Sequence, residues 1–395
     1  MKIETKCIHG YRHRGQEGAV ATPIFQSATF AHPAVGESTG YDYSRLQNPT
    51  REAAEKLVAS LENAKEALGF SSGMAAMATL MELFKPGDHI IATEDLYGGT
   101  IRLFEHISRK NGVEVDFVNT ADLPDLQSLI KGNTKAIFVE TPTNPMMHVT
   151  EIAAVSAMVK AMSKNMSKAM SKDMLKDTSK DILIIVDNTF LTPYFQQPIA
   201  LGADIVLHSG TKYLSGHNDT LAGFLVVSDE SLCERLRFLY KTTGACLSPF
   251  DSFLIIRGIK TLALRMEKSQ QNAQMLAKWL QTQPNVSTVH YVGLPNHPDY
   301  AVSKKQASGF GAMISFEVES EALARQMLER VKLIQFAESL GGVETLITYP
   351  IIQTHADVDE NEKAARGISN KLLRLSVGIE HIDDLQKDLS QALGV

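Results

Sequence analysis

Short, nearly continuous apolar runs alternate with amphipathic segments along the first 230 residues or so of the chain. Such runs, rich in Val, Ile and Leu, are typical of strands that are buried on both faces of a sheet. Their regular alternation with helical segments predicts an α/β fold with a mostly parallel sheet. The predicted strands are Asp88–Ala92, Val113–Val118, Ala136–Val139, Ile182–Val186, Asp204–Leu207 and Ala222–Val227.

The pattern of polar and apolar positions divides the chain into three predicted regions. Residues 1–50 are rich in loops and aromatic side chains, which predicts an arm that lies across another surface, such as a partner subunit. Residues 51–245 hold the alternating strands and helices of a large domain. Residues 246–395 combine a long helical segment with alternating strand patterns, which predicts a smaller α+β domain.

Helical patterns predict where several helices lie. One begins at Pro49-Thr50, with Thr50 as the predicted N-cap, and another covers Thr100–Lys110. Between residues 156 and 181, Met and Lys each recur at every fourth position, which places an apolar and a basic stripe on one helix. We interpret this segment as a lengthened crossover helix with a solvated face, and the alternative is a helix that binds a partner or a membrane surface.

The composition excludes several classes of protein. The 395 residues are 44% hydrophobic and 21% charged, and the net charge of −6 provides no general basic field for nucleic acid. Residues 1–16 lack the apolar core of a signal peptide, and no apolar run reaches the length of a membrane span. Cys7, Cys233 and Cys246 have no neighbouring His or Cys at metal-binding spacing. We therefore expect a cytoplasmic protein without a metal site.

Polar residues follow three of the predicted strands at the point where each strand ends. These segments are Glu140–Asn144, Asp187–Thr189 and Ser209–Lys212. Because parallel strands end at the same edge of a sheet, the sequence predicts a ligand site there. A lysine that is desolvated at such an edge loses its proton readily and becomes a nucleophile for carbonyl carbons.

Two kinds of chemistry fit the segment from Ser209 to Lys212. A lysine flanked by hydroxyl groups suits an aldehyde that also carries a phosphate, which indicates pyridoxal 5′-phosphate (PLP). A phosphate would also fit the start of a helix at Ser72-Gly73-Met74, where backbone N–H groups are free. The segment from Ser209 to Lys212 also matches the Ser-x-x-Lys of serine acyl-enzymes, but the chain lacks the companion Ser-Asp-Asn motif of that class.

Nine segments, in this order, resemble the PLP-dependent Cys/Met metabolism (transsulfuration) enzymes over nearly the whole chain. The resemblance implies an α/β fold of the aspartate aminotransferase type (fold type I), with PLP as the cofactor and amino acids as substrates. It also implies an obligate dimer that pairs into a homotetramer. The segments begin at Tyr43, Asn48, Ser71, Tyr97, Glu140, Asp187, Ser209, Glu338 and Arg374.

The resemblance also implies roles for individual residues around the cofactor. Lys212 would bind PLP covalently and later move protons, Asp187 would pair with the pyridine nitrogen, and Tyr97 would stack on the ring. The arm would deliver Tyr43 and Arg45 to the phosphate site of a neighbouring subunit. The other residues implied to hold the phosphate are Ser72, Gly73, Met74, Ser209 and Thr211.

Substrate contacts follow from the same resemblance. Arg374 would grip the substrate α-carboxylate as a bidentate fork, with Asn144 and Ser339 beside it. Glu338 resembles the residue that meets the distal ammonium of cystathionine in γ-synthases and γ-lyases, and Asp42 and Arg102 stand where γ-synthases place polar substrate contacts.

We therefore expect cystathionine γ-synthase activity, which is γ-replacement on an O-acylhomoserine by cysteine. The alternatives are cystathionine γ-lyase, O-acylhomoserine sulfhydrylase and cystathionine β-lyase. A further, non-enzymatic alternative is a PLP-binding scaffold protein that contacts its partners through the helix at residues 156–181. The complete set of Lys212, Asp187, Tyr97 and Arg374 argues against it, since a scaffold needs no lysine for proton transfer.

Overall fold

Two β-sheets organise the computed structural model, which describes residues 1–11, 18–169, 182–354, 356 and 360–395. The strands of the larger sheet are β1 (Glu66–Phe70), β2 (His89–Thr93), β3 (Glu114–Val118), β4 (Thr134–Glu140), β5 (Leu183–Asp187), β6 (Ile205–Ser209) and β7 (Gly223–Val227). The strands of the smaller sheet are β8 (Val286–His290), β9 (Met313–Val318), β10 (Gln335–Phe336), β11 (Leu346–Thr348) and β12 (Leu372–Ser376).

Helices cover both sheets and connect their strands. Those of the first half of the chain are α1 (Ile3–His9), α2 (Pro49–Leu61), α3 (Gly73–Met81), α4 (Gly98–Leu103), α5 (Leu123–Ser128), α6 (Ile152–Ala169), α7 (Thr192–Phe195) and α8 (Pro198–Leu201). Those of the second half are α9 (Glu230–Thr243), α10 (Pro249–Ile259), α11 (Leu262–Leu280), α12 (Tyr300–Gln306), α13 (Glu321–Arg330), α14 (Glu360–Ala365) and α15 (Ile382–Leu393).

The larger sheet has the strand order β1-β7-β6-β5-β4-β2-β3. All neighbours from β6 to β3 pair in parallel, whereas β7 pairs antiparallel with both β6 and β1. Six strands therefore run in one direction and β7 runs against them, which confirms the predicted mostly parallel sheet. The carboxyl ends of β4, β5 and β6 lie side by side at one edge.

Burial on both faces explains the continuous apolar runs of the larger sheet. In β6, Ile205 and Leu207 belong to the core on one face, and Val206 belongs to the core on the other. All three are buried. Complete burial of each such side chain contributes about 1.5–3 kcal/mol relative to exposure, so one strand anchors both layers of helices.

The start of α2 differs from the prediction. Asn48, not Thr50, is the N-cap, and its Oδ1 accepts hydrogen bonds from the N–H groups of Thr50 (3.0 Å) and Arg51 (3.4 Å). The Thr50 hydroxyl instead donates to the carbonyl of Pro23 at 2.8 Å and accepts from the N–H of Phe25 at 2.9 Å. The predicted capping hydroxyl therefore fastens the arm to the large domain.

Two other predicted helices have different forms. The helix predicted at Thr100–Lys110 is the short α4 followed by a π-helical turn at Phe104–Ser108, where Phe104 is buried against Phe138 with ring centroids 5.8 Å apart. The first part of the segment rich in Met and Lys belongs to α6, with Val155 and Val159 buried. The remainder of that segment, residues 170–181, lies outside the described residues.

The smaller sheet has the order β10-β11-β12-β9-β8 and mixes one parallel pair with antiparallel pairs. Its strand β9 lies in the region 246–395, for which alternating strand patterns are predicted. At the predicted boundary, the N–H of Leu247 still donates to the carbonyl of Gly69 in β1 at 2.9 Å. Domain limits at residues 50 and 245 remain predictions. Within the described ranges, none of the helices combines the length and apolar character that a membrane crossing needs.

Candidate active site

A cleft opens where the carboxyl ends of β4, β5 and β6 meet the start of α3 and the smaller sheet. Twelve of the sixteen residues predicted for the site line this cleft, although they come from distant parts of the chain. The structure thus brings together Ser72, Gly73, Met74, Tyr97, Asn144, Asp187, Ser209, Thr211, Lys212, Glu338, Ser339 and Arg374.

Lys212 lies in the wall of the cleft, three residues after the end of β6. Its Nζ donates a hydrogen bond to the Ser339 hydroxyl at 2.8 Å. Burial and, to a smaller extent, the positive charge of Arg374 lower the pKa of Lys212 to about 8, while Glu338 opposes the shift. An amine with this pKa is largely neutral at mildly alkaline pH, so Lys212 can act as a nucleophile and as a base.

The turn that carries Lys212 is held by a buried arginine that the sequence interpretation missed. Arg265 of α11 donates from Nη1 to the carbonyl of Tyr213 at 2.7 Å and from Nη2 to the carbonyl of Gly258 at 2.8 Å. A second close contact comes from Gly341, whose φ of 80° favours glycine and where a Cβ would lie 2.6 Å from the Tyr213 nitrogen. No motif near Arg265 could have revealed it, because the contact joins positions 52 residues apart.

Arg374 is a buried cation of the same cleft, in the middle of β12, and it is 1% exposed. Its Nη1 donates to Asn144 Oδ1 at 2.9 Å, and its Nη2 donates to the Ser339 carbonyl at 3.0 Å and to the Thr348 hydroxyl at 3.2 Å. Burial lowers the pKa of Arg374 to about 10. Its Nε has no partner among the described residues, so this site retains a buried donor for an anionic ligand.

The start of α3 forms a cradle for an anion. The Ser72 hydroxyl caps the helix by accepting from the N–H of Ala75 at 3.0 Å, which leaves the first amides of α3 at the cleft. Gly73 packs against Ser209 so tightly that a Cβ would lie 3.0 Å from the Ser209 Cβ. With the hydroxyls of Ser209 and Thr211 beside these amides, the cradle suits a phosphate group.

Asp187 is the last residue of β5 and supplies a carboxylate at the cleft. Its Oδ1 accepts from the N–H of Thr189 at 3.0 Å. Burial raises the pKa of Asp187, and hydrogen bonds from Thr189 and the charge of His208 oppose that rise. Tyr97 reaches the cleft from the loop before α4, and its side chain remains 41% exposed.

The residues of the cleft fit PLP part by part. The cradle at α3 matches a phosphate, Asp187 can pair with a protonated ring nitrogen, and Tyr97 offers an aromatic face. Lys212 provides the amine that captures an aldehyde, and Arg374 retains a buried donor for the carboxylate of an amino acid. The architecture and this site define the chain as a PLP-dependent enzyme of fold type I.

Comparisons with known proteins agree with this class. The family model for the Cys/Met metabolism PLP-dependent enzymes matches residues 4–394. The chain is 46% identical to a cystathionine β-lyase of Lactococcus lactis subsp. cremoris over 99% of this chain and 98% of that protein. It is also 46% identical to a cystathionine γ-synthase of Haemophilus influenzae over 97% of this chain and 95% of that protein.

A solved structure gives the same result. The cystathionine γ-lyase of Lactobacillus plantarum, complexed with L-serine, matches with a TM-score of 0.93 and 41% identity over 100% of this chain and 99% of that chain. The chain belongs to the Cys/Met metabolism PLP-dependent enzymes, and PLP is its cofactor. Because the three similar proteins carry three activities, similarity alone leaves the specific reaction open.

Four predicted site residues lie outside the described lining of the chain's own cleft: Asp42, Tyr43, Arg45 and Arg102. Arg45 donates to the carbonyl of Lys241 at 2.7 Å and lies over the ring of Tyr43, which is 44% exposed. Asp42 accepts from the hydroxyl of Ser38 at 3.0 Å, within the arm itself. Arg102 is exposed on α4. Their roles in binding the phosphate or the substrate remain predictions.

Proposed function

We propose that this enzyme is a cystathionine γ-synthase, which joins an O-acylhomoserine and cysteine to form cystathionine. The observation that carries the proposal is the position of Glu338 at the cleft, next to Ser339, the residue that contacts both Lys212 and Arg374. Glu338 is exposed, so its carboxylate can meet the ammonium group at the far end of a long amino acid.

The buried side chains would hold and activate the amino-acid substrate. Arg374 would bind its α-carboxylate, with Asn144 fixing the guanidinium at 2.9 Å. Lys212 Nζ would remove the proton from the α-carbon and return protons later in the reaction. PLP, when bound, supplies an electron sink for the charge that develops at that carbon. Tyr97 would cover the ring face and exclude water from it.

We further propose that a second copy of the chain completes the site, within a homotetramer built from two dimers. Tyr43 and Arg45 are exposed, neither is among the residues that line the cleft of their own chain, and Arg45 donates to the carbonyl of Lys241. An exposed aromatic and an exposed cation on an arm suit the phosphate site of a neighbouring subunit. In such an assembly, Asp42 and Arg102 would approach a bound substrate, either in the cleft of the neighbouring subunit or in the cleft of their own chain.

A second candidate is cystathionine γ-lyase, which the similarity to the Lactobacillus plantarum enzyme favours. Both reactions act at the γ-carbon of the same skeleton, so the arrangement of Lys212, Arg374 and Glu338 supports either direction. Cystathionine β-lyase and O-acylhomoserine sulfhydrylase differ in the bond that breaks or in the sulfur donor. The cytoplasmic location expected from the composition remains a prediction.

Product analysis of the purified, PLP-loaded enzyme tests the proposal. O-acetylhomoserine and O-succinylhomoserine are each supplied with cysteine, with sulfide and alone, and cystathionine is supplied in a separate reaction. Cystathionine formed from an ester and cysteine supports the synthase. Cysteine and 2-oxobutanoate from cystathionine without condensation would move the assignment to γ-lyase, and homocysteine with pyruvate would move it to β-lyase.

The role of Glu338 has its own test in the variant E338Q. Loss of its carboxylate should raise KM for cystathionine, or KM for cysteine in the synthase reaction, by about tenfold while kcat changes less. E319Q removes another exposed carboxylate, directly after β9 of the smaller sheet, and serves as the matched control. Equal KM values for E338Q and the wild-type enzyme would remove the main support for a γ-specific reaction.

A further inference from the structure

A second carboxyl group lies beside Asp187 at the base of the cleft. Glu140 is the last residue of β4, and it is the direct register partner of Asp187 in the neighbouring strand β5. Both side chains line the cleft, and Glu140 is only 5% exposed. Because Glu140 is buried, Asp187 is half-buried and the two residues are paired across neighbouring strands, ionisation of one carboxyl group disfavours ionisation of the other. This favours a state in which one of the two keeps a proton.

The surroundings decide which of the two keeps the proton. Asp187 has hydrogen bonds from both the backbone and the side chain of Thr189, and the charge of His208 also favours its ionised form. Glu140 is affected by burial first and then by the negative charges of Asp187 and Asp95, which raise its pKa well above the ordinary value. Backbone hydrogen bonds from Tyr97 and Asn144 oppose that shift only in part.

Glu140 also connects the two loops that deliver predicted site residues. Its Oε2 accepts from the N–H of Tyr97 at 3.1 Å, and the backbone of Asn144 forms a second hydrogen bond with the same side chain. Asp95 strengthens this connection, since its Oδ2 accepts from the hydroxyl of Thr143 and from the N–H of Met146 at 3.1 Å. The Tyr97 loop and the Asn144 loop are therefore held as one unit.

We propose that Glu140 is a positioning residue that works in its neutral, protonated form: it joins the Tyr97 and Asn144 loops while it leaves the negative charge of the pair to Asp187. The inference rests on the proposed roles of Tyr97, Asn144 and Asp187. An ionised Glu140 would add a second negative charge near Arg374, whose own pKa already responds to Glu140. That charge would compete with the substrate carboxylate for the guanidinium.

The pH dependence of stability distinguishes a neutral Glu140 from an ionised one. A carboxyl group that binds its proton more tightly when folded stabilises the protein at low pH, and this stabilisation is lost as the pH rises from the unfolded pKa towards the folded one. E140Q keeps the size and the acceptor oxygen of the side chain but cannot ionise. Its melting temperature relative to wild type should therefore increase as the pH is raised from about 5 to about 9.

The measurement uses the PLP-loaded protein and follows unfolding by scanning calorimetry at several pH values. E94Q removes an exposed carboxylate from the same loop as Tyr97 and should show no such trend relative to wild type. A difference between E140Q and wild type that is flat or falls with pH would overturn the proposal. Failure of E140Q to fold would also overturn it, because a neutral isostere must be tolerated where the native group is neutral.

Kinetics supply a second readout. E140Q should keep kcat/KM within about tenfold of wild type, because one neutral acceptor replaces another. E140A deletes the connection between the loops and should lose more than E140Q, mainly in kcat, through displacement of Tyr97. If the proposed reaction were wrong but the proton assignment right, the stability trend of E140Q would persist while these kinetic effects changed.

Discussion

The floor of the cleft and the N-terminal arm differ in how completely one chain builds them. The floor is defined here as Glu140, Asp187, Lys212 and Arg374. Glu140 and Arg374 are buried, Asp187 and Lys212 are half-buried, and hydrogen bonds from both sheets hold them. The arm, residues 1–50, presents its predicted site residues to the outside. One chain therefore supplies the floor residues, whereas the proposed phosphate and substrate contacts of the arm would come from a second copy of the chain.

This difference also separates the kinds of effect that substitutions should have. A floor residue would bind or orient the groups that react, so its loss should lower kcat/KM in the chain that carries the substitution. An arm residue would act on binding, and its loss should be compensated by an intact arm from another chain. Predictions ordered by the size of the expected effect test this separation.

K212A should produce the largest loss. Without the amine, the enzyme has neither a covalent anchor for PLP nor a base at the α-carbon, and turnover should fall by about 10⁴-fold. Steady-state assays with cystathionine and with acyl esters measure the loss, and K371A replaces an exposed lysine as the control. Turnover by K212A close to that of K371A would mean that Lys212 does not move the protons.

R374K should have the next largest effect. Lysine preserves the charge but not the fork that meets a carboxylate, and it loses the contact to Asn144 or to Thr348. We expect kcat/KM to fall by about 10²-fold, mostly through KM for the amino acid. R235K changes an exposed arginine of α9 and should leave KM unaltered. A change confined to kcat would argue against a carboxylate clamp.

R45A should have a moderate effect that depends on assembly. Loss of one charged donor to the phosphate should weaken PLP binding by about tenfold. If the arm serves a neighbouring cleft, mixing R45A with K212A subunits should form some sites that carry neither substitution, so activity should exceed that of either variant alone. The mixture is assayed after subunit exchange. If the activity of the mixture equals the sum of the activities of the two separate variants, Arg45 acts on the cleft of its own chain.

Strand ends predicted Asp187 and Lys212 as site residues, whereas Arg374, in the middle of β12, was predicted only from the family resemblance. Asp187 and Ser209 are the last residues of two adjacent parallel strands, so an apolar run followed by polar residues was enough to locate them. The same argument predicted that the segment Glu140–Asn144 lies at the site. The proposed protonation of Glu140 depends on the register between β4 and β5, which cannot be read from the sequence. Arg265 acts on Tyr213 across sequence positions that no local pattern connects.

The N-cap prediction for α2 was wrong because two neighbouring residues can both cap this helix. Both Asn48 and Thr50 can cap α2, and the structure uses Asn48 because Thr50 is engaged with the arm. The arm itself was recognised from its aromatic residues, but no pattern says which chain an arm will cover. The sequence therefore predicts which side chains follow a strand, but not the contacts that depend on strand register, on distant positions or on a second chain.

The smallest predicted effect is the influence of the exposed Glu338 on the pKa of Lys212 in the floor. In the protein without cofactor, capture of PLP requires a neutral Lys212, so the rate of capture should rise with pH through a midpoint near the pKa of about 8. Glu338 raises that pKa, and E338Q should therefore lower the midpoint. The shift should remain below about one unit, because Glu338 is exposed and water screens its charge. Stopped-flow absorbance between pH 6 and 10 gives both midpoints, and a wild-type midpoint near 10.5, the ordinary value for lysine, would show that burial does not tune this amine.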